Sequence, residues 1–531
     1  MTAAATAPAT AVGSPSCTSS AEDTSSTTAV AAMPKAAVLP AAVSAGRGTS
    51  LAIVCASAFR CVHRSASRLS CKEPGKTRIV MPLGFVCKNK QKIAPLRAAS
   101  RCTTKGMEMS TKPQRFMSPL AWAAAVAVLL FAAAPAQAAE PIKIGLGMSL
   151  TGPLAANGKM SLVAMQVWED DINAKGGLLG RPVKLVYYDD QSSPSQVPGI
   201  YAKLLDVDKV DLIVSGYAST QIAAAMPVAM QHNKLFISLF GTGINERFNY
   251  PKYFSMIPNG PTPKPAFTRG FFKVAEQQTP KPQTIALASA DAEFGRNACE
   301  GAHENAQAAG FKIVYEKSYP PSTIDFSPIV RAIQAANPDL LVICSYPLDT
   351  VGMIKSMHEV GFKPKMWGGA MVGLQATVFK TQLGPLLNGV VNYETWLPVK
   401  SMEFPGSLEL IKKYQERAKA AGTDPLGYYM PVWAYADLQV LGDAIAATKS
   451  LNDDVLADYI RQATFKTVVG EVKFGKQGEW VEERTLAAQF QNIKGNSIDD
   501  FRDLKTEVIV YPPQYKSGEV IYPYEKAIAN E

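Results

Sequence analysis

The chain has 531 residues, with 54 Lys and Arg against 45 Asp and Glu and a formal net charge of +9. The first 115 residues hold 16 of the basic and 4 of the acidic residues, which leaves 38 basic against 41 acidic ones in the remainder. Because the chain after residue 115 is slightly acidic, it offers no basic surface for binding the phosphates of a nucleic acid. This argues against a nucleic-acid partner.

Residues 1–115 are rich in Ala, Ser and Thr and show no sustained helix or strand period. Such a stretch buries too little apolar surface to offset its ordering entropy, so we predict a disordered leader. One interpretation is upstream sequence misread as coding, with true initiation at Met107, Met109 or Met117. The other is an organelle transit peptide. We favour the first, because a bacterial-type export signal follows directly.

Residues 116–138 have the features of a secretory signal peptide. Lys112 and Arg115 precede an uncharged apolar run at Leu120–Ala134, and small residues occupy Ala136 and Ala138. The run is shorter than the roughly 20 residues of a comfortable membrane span. We therefore predict cleavage after Ala138 and a periplasmic location; an uncleaved anchor and a buried helix remain alternatives.

Short apolar runs alternate with helical patterns from residue 142 onward. The predicted strands are 142–150, 183–190, 211–217, 235–241, 283–290, 311–319, 339–346 and 365–371. The predicted helices are 159–174, 194–207, 219–232, 261–277, 296–309, 326–336 and 349–360. Apolar strands that alternate with helices are typical of parallel sheets covered on both faces. Because these strands are too many for one small sheet, we predict an α/β fold with two Rossmann-like lobes.

Signals of catalysis are absent from this region. It has no His-Glu-x-x-His, Cys-x-x-Cys or Gly-x-Ser-x-Gly motif. Paired aspartates at 170–171 and 189–190 could bind a metal, but a solvated helix face and a strand end explain them as well. Cys299 and Cys344 could form one disulfide or stay reduced. We predict a binding protein that is not an enzyme and needs no cofactor.

Polar and aromatic residues follow several predicted strands. In open α/β sheets ligands bind beyond the carboxyl ends of the strands. Ser219 lies at a helix start, where a hydroxyl and free N–H groups suit an anion, and Thr242 follows the next strand. A plain helix cap is the alternative for each. Together with aromatic residues on the other lobe, they indicate a ligand site.

Three segments resemble the periplasmic leucine-binding family of ABC-transporter substrate-binding proteins. They are "IKIGLGMSLTGPLAANG", "DINAKGGLLGRPVKLVYYDDQSSPSQ" and "VSGYASTQIAAAMPVA", and the Ile-Asn-x-x-Gly-Gly-x-x-Gly stretch at 172–180 is the most specific part. The resemblance implies the type I periplasmic-binding fold, in which three crossovers join two lobes. It implies lobe 1 at 140–258 with 394–485, lobe 2 at 259–393 with 486–497, and a C-terminal tail at 498–531.

The resemblance also implies roles for individual residues. Ser219 matches the Ser that holds the ligand carboxylate, Thr242 matches its partner, and Phe240 matches the residue whose carbonyl meets the ammonium. Phe294 and Tyr346 match the lobe 2 aromatics. The family's ammonium-binding acid matches Ala370. The two cysteines of the family's disulfide are also missing here, at Ser192 or Ser193 and at Ala218.

A carboxylate grip without an ammonium grip predicts a carboxylate ligand that lacks an amine. Aromatic walls could come from Tyr217, Phe240, Phe294, Tyr346 and either Tyr429 or Met430. Aromatic acids, short acyl acids or 2-oxo acids fit best. We predict a monomeric solute-binding protein that delivers this ligand to an ABC permease. The alternatives are a branched-chain amino acid held by another acid such as Glu293, and a ligand-sensing regulatory domain.

Overall fold

The computed structural model describes residues 139–529. The predictions for the leader at 1–115 and the signal segment at 116–138 lie outside the described residues.

Five strands form the first sheet, in the order β2-β1-β3-β4-β5, and every neighbouring pair is parallel. They are β1 (Ile142–Met148), β2 (Val183–Asp189), β3 (Leu212–Val214), β4 (Phe236–Ser238) and β5 (Tyr253–Ser255). The helices between them are α1 (Ala155–Ala174), α2 (Val197–Asp206), α3 (Ser219–Gln231) and α4 (Ile244–Phe248). Strands β3 and β4 are buried at every residue, as expected for a parallel sheet covered on both faces.

Seven strands form the second sheet, in the order β14-β13-β10-β9-β8-β6-β7. The remaining strands in chain order are β6 (Thr284–Ala290), β7 (Lys312–Tyr319), β8 (Leu340–Ser345), β9 (Met366–Met371), β10 (Val391–Glu394), β11 (Thr464–Thr467), β12 (Gly470–Lys473), β13 (Leu486–Phe490) and β14 (Glu507–Tyr511). The pairs among β6–β10 are parallel, whereas β13 is antiparallel to β10 and β14 is antiparallel to β13. Strands β11 and β12 pair only with each other, in an antiparallel hairpin.

The remaining helices follow β5 in the chain. They are α5 (Pro263–Glu276), α6 (Glu293–Ala308), α7 (Ser327–Ala335), α8 (Pro347–Val360), α9 (Thr377–Leu383), α10 (Ser407–Ala421), α11 (Met430–Thr448), α12 (Asp453–Gln462), α13 (Ile498–Arg502) and α14 (Tyr524–Ile528). Helices α10 and α11 pack on α1 and thus return to the first sheet.

The chain therefore passes between the sheets three times: after β5, after β10 and before β13. This confirms the predicted two-lobed α/β fold. We retain as a proposal the lobe boundaries given above, and the terms lobe 1 and lobe 2 refer to them.

Each of the predicted strands and helices corresponds to an observed element. The signature at 172–180 has a structural reason at Gly177. Its φ is +76°, and a Cβ there would meet the carbonyl oxygen of Arg181 at 2.0 Å. Only glycine fits this tight turn between α1 and β2.

Several strands were not predicted. Strand β5 has three residues, too few to show a period. Strand β14 lies within the stretch 498–531, which the sequence analysis left as a tail, and Pro512 follows it directly. It forms the edge of the second sheet, where a short strand next to a proline is tolerated because only one side is paired.

Candidate functional site

A cavity lies between the two lobes and is partly open to solvent; about 260 Å³ of its space is not occupied by atoms. Its lining comes from segments that follow strands in both sheets, from the starts of α6 and α11, and from within α5. The lining residues are Tyr217, Ala218, Ser219, Phe240, Thr242, Ile257, Phe267, Phe294, Tyr346, Val372, Tyr393 and Tyr429. Six of the seven residues predicted to form the site therefore line one cavity, and the exception is Ala370.

Ser219 and Thr242 lie side by side on lobe 1. Ser219 is the first residue of α3, and Thr242 follows β4. The backbone N–H of Thr242 donates to Ser219 Oγ over 3.1 Å. Both residues are buried, at 2% and 1% exposure. The two hydroxyls thus belong to one small polar patch in an otherwise aromatic lining.

The helix start next to this patch is uncapped. Ala218 has φ 86° and ψ 138°, a conformation that residues with a Cβ rarely adopt. Backbone strain of this kind costs about 1–3 kcal/mol and is typical of functional sites. No side-chain cap satisfies the first N–H groups of α3, which have no partner inside the helix. An anion in the cavity would satisfy them.

Aromatic rings form the lobe 1 wall. Phe240 packs edge-on against Tyr429, with ring centroids 5.5 Å apart, and in a tilted arrangement against Trp433 at 5.7 Å. Tyr217 meets Tyr429 at 6.4 Å, again edge to face. These interlocked rings give the cavity a rigid, apolar wall.

Lobe 2 contributes Phe294 and Tyr346, whose centroids are 5.7 Å apart. The hydroxyl of Tyr346 shares a hydrogen bond of 2.6 Å with the hydroxyl of Thr220 on lobe 1. Asn297 Nδ2 donates to the carbonyl oxygen of Thr242 over 2.9 Å and forms a second link between the lobes. The lobes are therefore held together directly across the cavity.

Two aromatic lining residues were missed by the sequence analysis. Phe267 lies in α5, and Tyr393 lies in β10; their centroids are 4.2 Å apart. Tyr393 lies near the end of the short strand β10 and could have been found by the strand-end argument. Of the two alternatives at the start of α11, Tyr429 lines the cavity and Met430 does not.

The hydroxyl groups of three lining tyrosines are buried and have polar partners. Asn157 Nδ2 donates to Tyr217 Oη over 3.0 Å, and the hydroxyls of Tyr393 and Tyr429 are 2.9 Å apart. Burial raises the pKa of the Tyr217 hydroxyl to about 12. It raises the pKa of Tyr393 and of Tyr429 well above the usual 10 as well. All three hydroxyls are protonated at neutral pH.

The lining contains no Asp, Glu, Lys, Arg or His. Ala370 is fully buried in β9 and lies outside the lining, where Val372 takes part instead. Glu293 also lies outside it, and its carboxylate faces Arg247 at 3.4 Å and Arg296 at 3.6 Å. The cavity therefore offers a charged ligand group hydrogen bonds and helix N–H groups, but no counter-ion.

Metal binding has no support in the part of the chain that the structure describes. Residues 139–529 contain no group of three His, Cys, Asp or Glu side chains placed to hold a metal ion. The paired aspartates have other partners: Asp171 binds Lys413, Asp170 faces Arg417, and Asp190 accepts from Ser149 Oγ.

Cys299 and Cys344 are both free and buried. Burial raises the pKa of the Cys344 thiol well above its usual value. Between residues 139 and 529, no helix combines the length and apolar character needed to cross a membrane.

Known proteins similar to this chain share its architecture. Residues 141–494 match a family model described as periplasmic binding protein. The Leu/Ile/Val-binding protein homolog 8 of Brucella suis is 25% identical over 401 residues, which cover 71% of this chain and 95% of that protein. The leucine-binding protein LivK of Thermotoga maritima superposes with a TM-score of 0.59 at 18% identity, over 67% of this chain and 96% of that one. A solute-binding protein of an ABC transporter from R. palustris, solved in complex with benzoate, superposes with a TM-score of 0.59 at 16% identity, over 71% of this chain and 98% of that one.

Proposed function

Because the family model matches more than half of the chain, the protein belongs to the periplasmic binding proteins, and we propose that it carries a small carboxylate to an ABC importer. The ligand occupies the cavity between the lobes. The observation that carries this proposal is the lining itself: a hydroxyl pair and an uncapped helix start within a ring of aromatics, without any charged side chain.

The carboxylate of the ligand takes its hydrogen bonds on lobe 1. Ser219 and Thr242 supply hydroxyls, and the first turn of α3 supplies N–H groups. Hydrogen bonds to a charged group are worth about 1.5–3 kcal/mol each, so two or three of them hold an anion firmly without a counter-ion. The positive end of the α3 dipole adds to the attraction.

The cavity has no comparable binding groups for an α-ammonium group. A buried charge that lacks its partner costs about 3–5 kcal/mol, and the lining offers no carboxylate to an ammonium. The rest of the lining is mostly aromatic. An aromatic acid fits these conditions best, and a short acyl acid is the next candidate. The benzoate complex of the R. palustris protein supports this ligand class.

A branched-chain amino acid is the alternative within the same transport class. The names of the Brucella relative and of the Thermotoga protein favour it. It would need an acid in the cavity, and Glu293, the candidate from the sequence, is turned toward Arg247 and Arg296. We therefore place the amino acid second.

The remaining parts of the proposal follow from this role. The protein acts in the periplasm after its signal peptide is removed, works as a monomer, and presents its closed form to the permease. Hinge closure around a ligand between two lobes is an established mode of capture. The role is binding, and no residue is assigned to catalysis.

Mass spectrometry of ligand retained through purification tests the proposal. The protein is expressed from Met117, purified without denaturation, and its bound small molecules are extracted. We expect an aromatic or short acyl carboxylate that lacks an amine. Stoichiometric recovery of leucine, isoleucine or valine would contradict the proposed ligand class and leave the family assignment in place.

A further inference from the structure

The short helix α4 of lobe 1 contacts lobe 2 beside the cavity. It begins two residues after Thr242. Glu246 Oε2 in α4 lies 3.0 Å from Lys264 Nζ in the first turn of α5. Arg247 in α4 faces the carboxylate of Glu293, at the start of α6, over 3.4 Å. Because α5 and α6 pack on each other and on strands of the second sheet, these two ion pairs join the lobes.

Lys264 makes the better shielded of the two links. Its side chain is 17% exposed, whereas that of Arg247 is 65% exposed, and exposed ion pairs contribute little. The stem of Lys264 lies along the loop that leads into α4, since a Cβ at Gly243 would stand 3.1 Å from Lys264 Cγ. Burial alone would lower the pKa of the Lys264 ammonium, but hydrogen bonds to Glu300 and Glu246 raise it above its usual value. Lys264 is therefore charged at neutral pH.

Lys264 has two carboxylate partners at the same distance. Glu300 Oε2 also lies 3.0 Å from Lys264 Nζ, but Glu300 belongs to α6, so this pair stays within lobe 2. A motion of one lobe relative to the other changes the pair with Glu246 and leaves the pair with Glu300 intact. A contact that is made only in the closed form shifts the equilibrium between the open and closed forms toward closure.

The Glu246–Lys264 pair lies next to the ligand site without being part of it. Neither residue belongs to the cavity lining. Thr242, which precedes α4, and Phe294, in the first turn of α6, both belong to it. The pair thus holds the segment that carries Thr242 against the lobe that carries Phe294. When only a fraction of the protein is closed, the apparent affinity for a ligand of the closed form falls with that fraction.

We propose that Lys264 is a positioning residue for ligand capture. By pairing with Glu246 across the lobes it favours the closed form, and it thereby raises the affinity for a ligand that it does not touch. The exposed pair between Arg247 and Glu293 adds a smaller contribution in the same direction, so Glu293 serves closure and is not a ligand group. This inference rests on the proposed function, because it assumes that the ligand is captured between the lobes.

Two matched substitutions test the role of Lys264. Glu246→Lys and Glu300→Lys each place a second ammonium group opposite Lys264, at positions that are both 3.0 Å from it in the parent. Only the first creates repulsion between the lobes. In calorimetry with benzoate, we expect Glu246→Lys to bind roughly tenfold more weakly than the parent and Glu300→Lys to bind within about twofold of it. The added positive charge by itself would strengthen binding of an anion, so weakening in Glu246→Lys reports on closure.

A second change in the same protein serves as a rescue. Adding Lys264→Gln to Glu246→Lys removes the repulsion between the lobes and should restore most of the lost affinity. Thermal melts of all variants show whether folding is intact. Equal affinities of Glu246→Lys and Glu300→Lys for benzoate would overturn the inference and leave the carboxylate site standing.

Small-angle X-ray scattering of the ligand-free variants provides a readout that needs no ligand. Glu246→Lys should have a larger radius of gyration than Glu300→Lys, because its closed fraction is smaller. Equal radii would overturn the inference. Failure of benzoate to bind to the parent would contradict the proposed ligand class, and the scattering comparison would still decide the role of Lys264.

Discussion

The carboxylate grip can be tested by removing one hydroxyl at a time. In Ser219→Ala the ligand loses one hydrogen bond to its charged group, worth about 1.5–3 kcal/mol, so benzoate should bind roughly 10- to 100-fold more weakly. Thr242→Val removes the second hydroxyl and should weaken binding by a similar factor. Isothermal calorimetry with benzoate as the probe measures both effects.

The structure also limits what these changes do to stability. Ser219 Oγ accepts the N–H of Thr242 over 3.1 Å, and losing that bond costs about 1 kcal/mol of folding free energy. A core of this size tolerates such a loss, so the melting temperature should fall by only a few degrees. Reduced affinity in a folded variant then reports on the site.

Ser407→Ala supplies the matched control. Ser407 is also a buried first residue of a helix, and its hydroxyl donates to the Phe404 carbonyl over 2.8 Å, but it lies outside the cavity lining. This variant should lose a comparable amount of stability and bind benzoate like the parent. If Ser219→Ala and Thr242→Val also bind within about twofold of the parent, the carboxylate grip has been placed wrongly.

Three further predictions concern closure, pH and processing. Phe294→Ala and Tyr346→Ala should weaken benzoate binding and reduce the ligand-induced compaction seen by small-angle X-ray scattering, because both remove lobe 2 contacts at the cavity; unchanged compaction in both would contradict the role given to lobe 2. Burial raises the pKa of the Glu479 carboxyl from 4.5 to about 8, so the folded state favours its protonated form. The stability that this form contributes is fully present below pH 4.5 and should be lost as the pH rises through 8. Between pH 5 and 8, the free energy of unfolding measured with denaturant should decrease less in Glu479→Gln than in the parent protein, by roughly a few kcal/mol. An identical decrease in both proteins would refute the buried neutral acid. Expression from Met117 in a Gram-negative host should yield periplasmic protein whose N-terminal sequencing starts at Ala139, whereas soluble cytoplasmic protein with an intact leader would contradict the signal peptide.

Much of the fold could be predicted because parallel strands leave a strong sequence pattern. A strand such as β8, "LLVICS", is buried at all six residues and therefore reads as a continuous apolar run. This apolar pattern did not lead to a predicted strand at the edge of the second sheet. Strand β14 pairs on one side only, with β13, and is followed by a proline-rich stretch. The run Val508–Tyr511 is β-branched and aromatic, which is a strand signal, but the prolines that follow it led to its interpretation as part of a tail.

The candidate site was predicted to a similar degree, and for a related reason. Ser219 and Thr242 lie in the segments that follow the buried strands β3 and β4, so the strand-end argument alone brings them together. Phe267 could not be found in this way, because it lies within α5 and faces the cavity only through the packing of that helix. The position matched to the ammonium-binding acid illustrates the limit of residue-by-residue comparison: Ala370 is buried in β9, and Val372 lines the cavity two residues later.

The central claim is that the cavity accepts a carboxylate and has no place for an ammonium group. Calorimetry of the ligand-free protein against leucine, benzoate and 4-hydroxycinnamate tests it most directly. An unpaired ammonium should cost roughly 3 kcal/mol or more, so leucine should bind at least a hundredfold more weakly than the better aromatic acid. Submicromolar leucine binding, with no heat from either aromatic acid, would contradict the account.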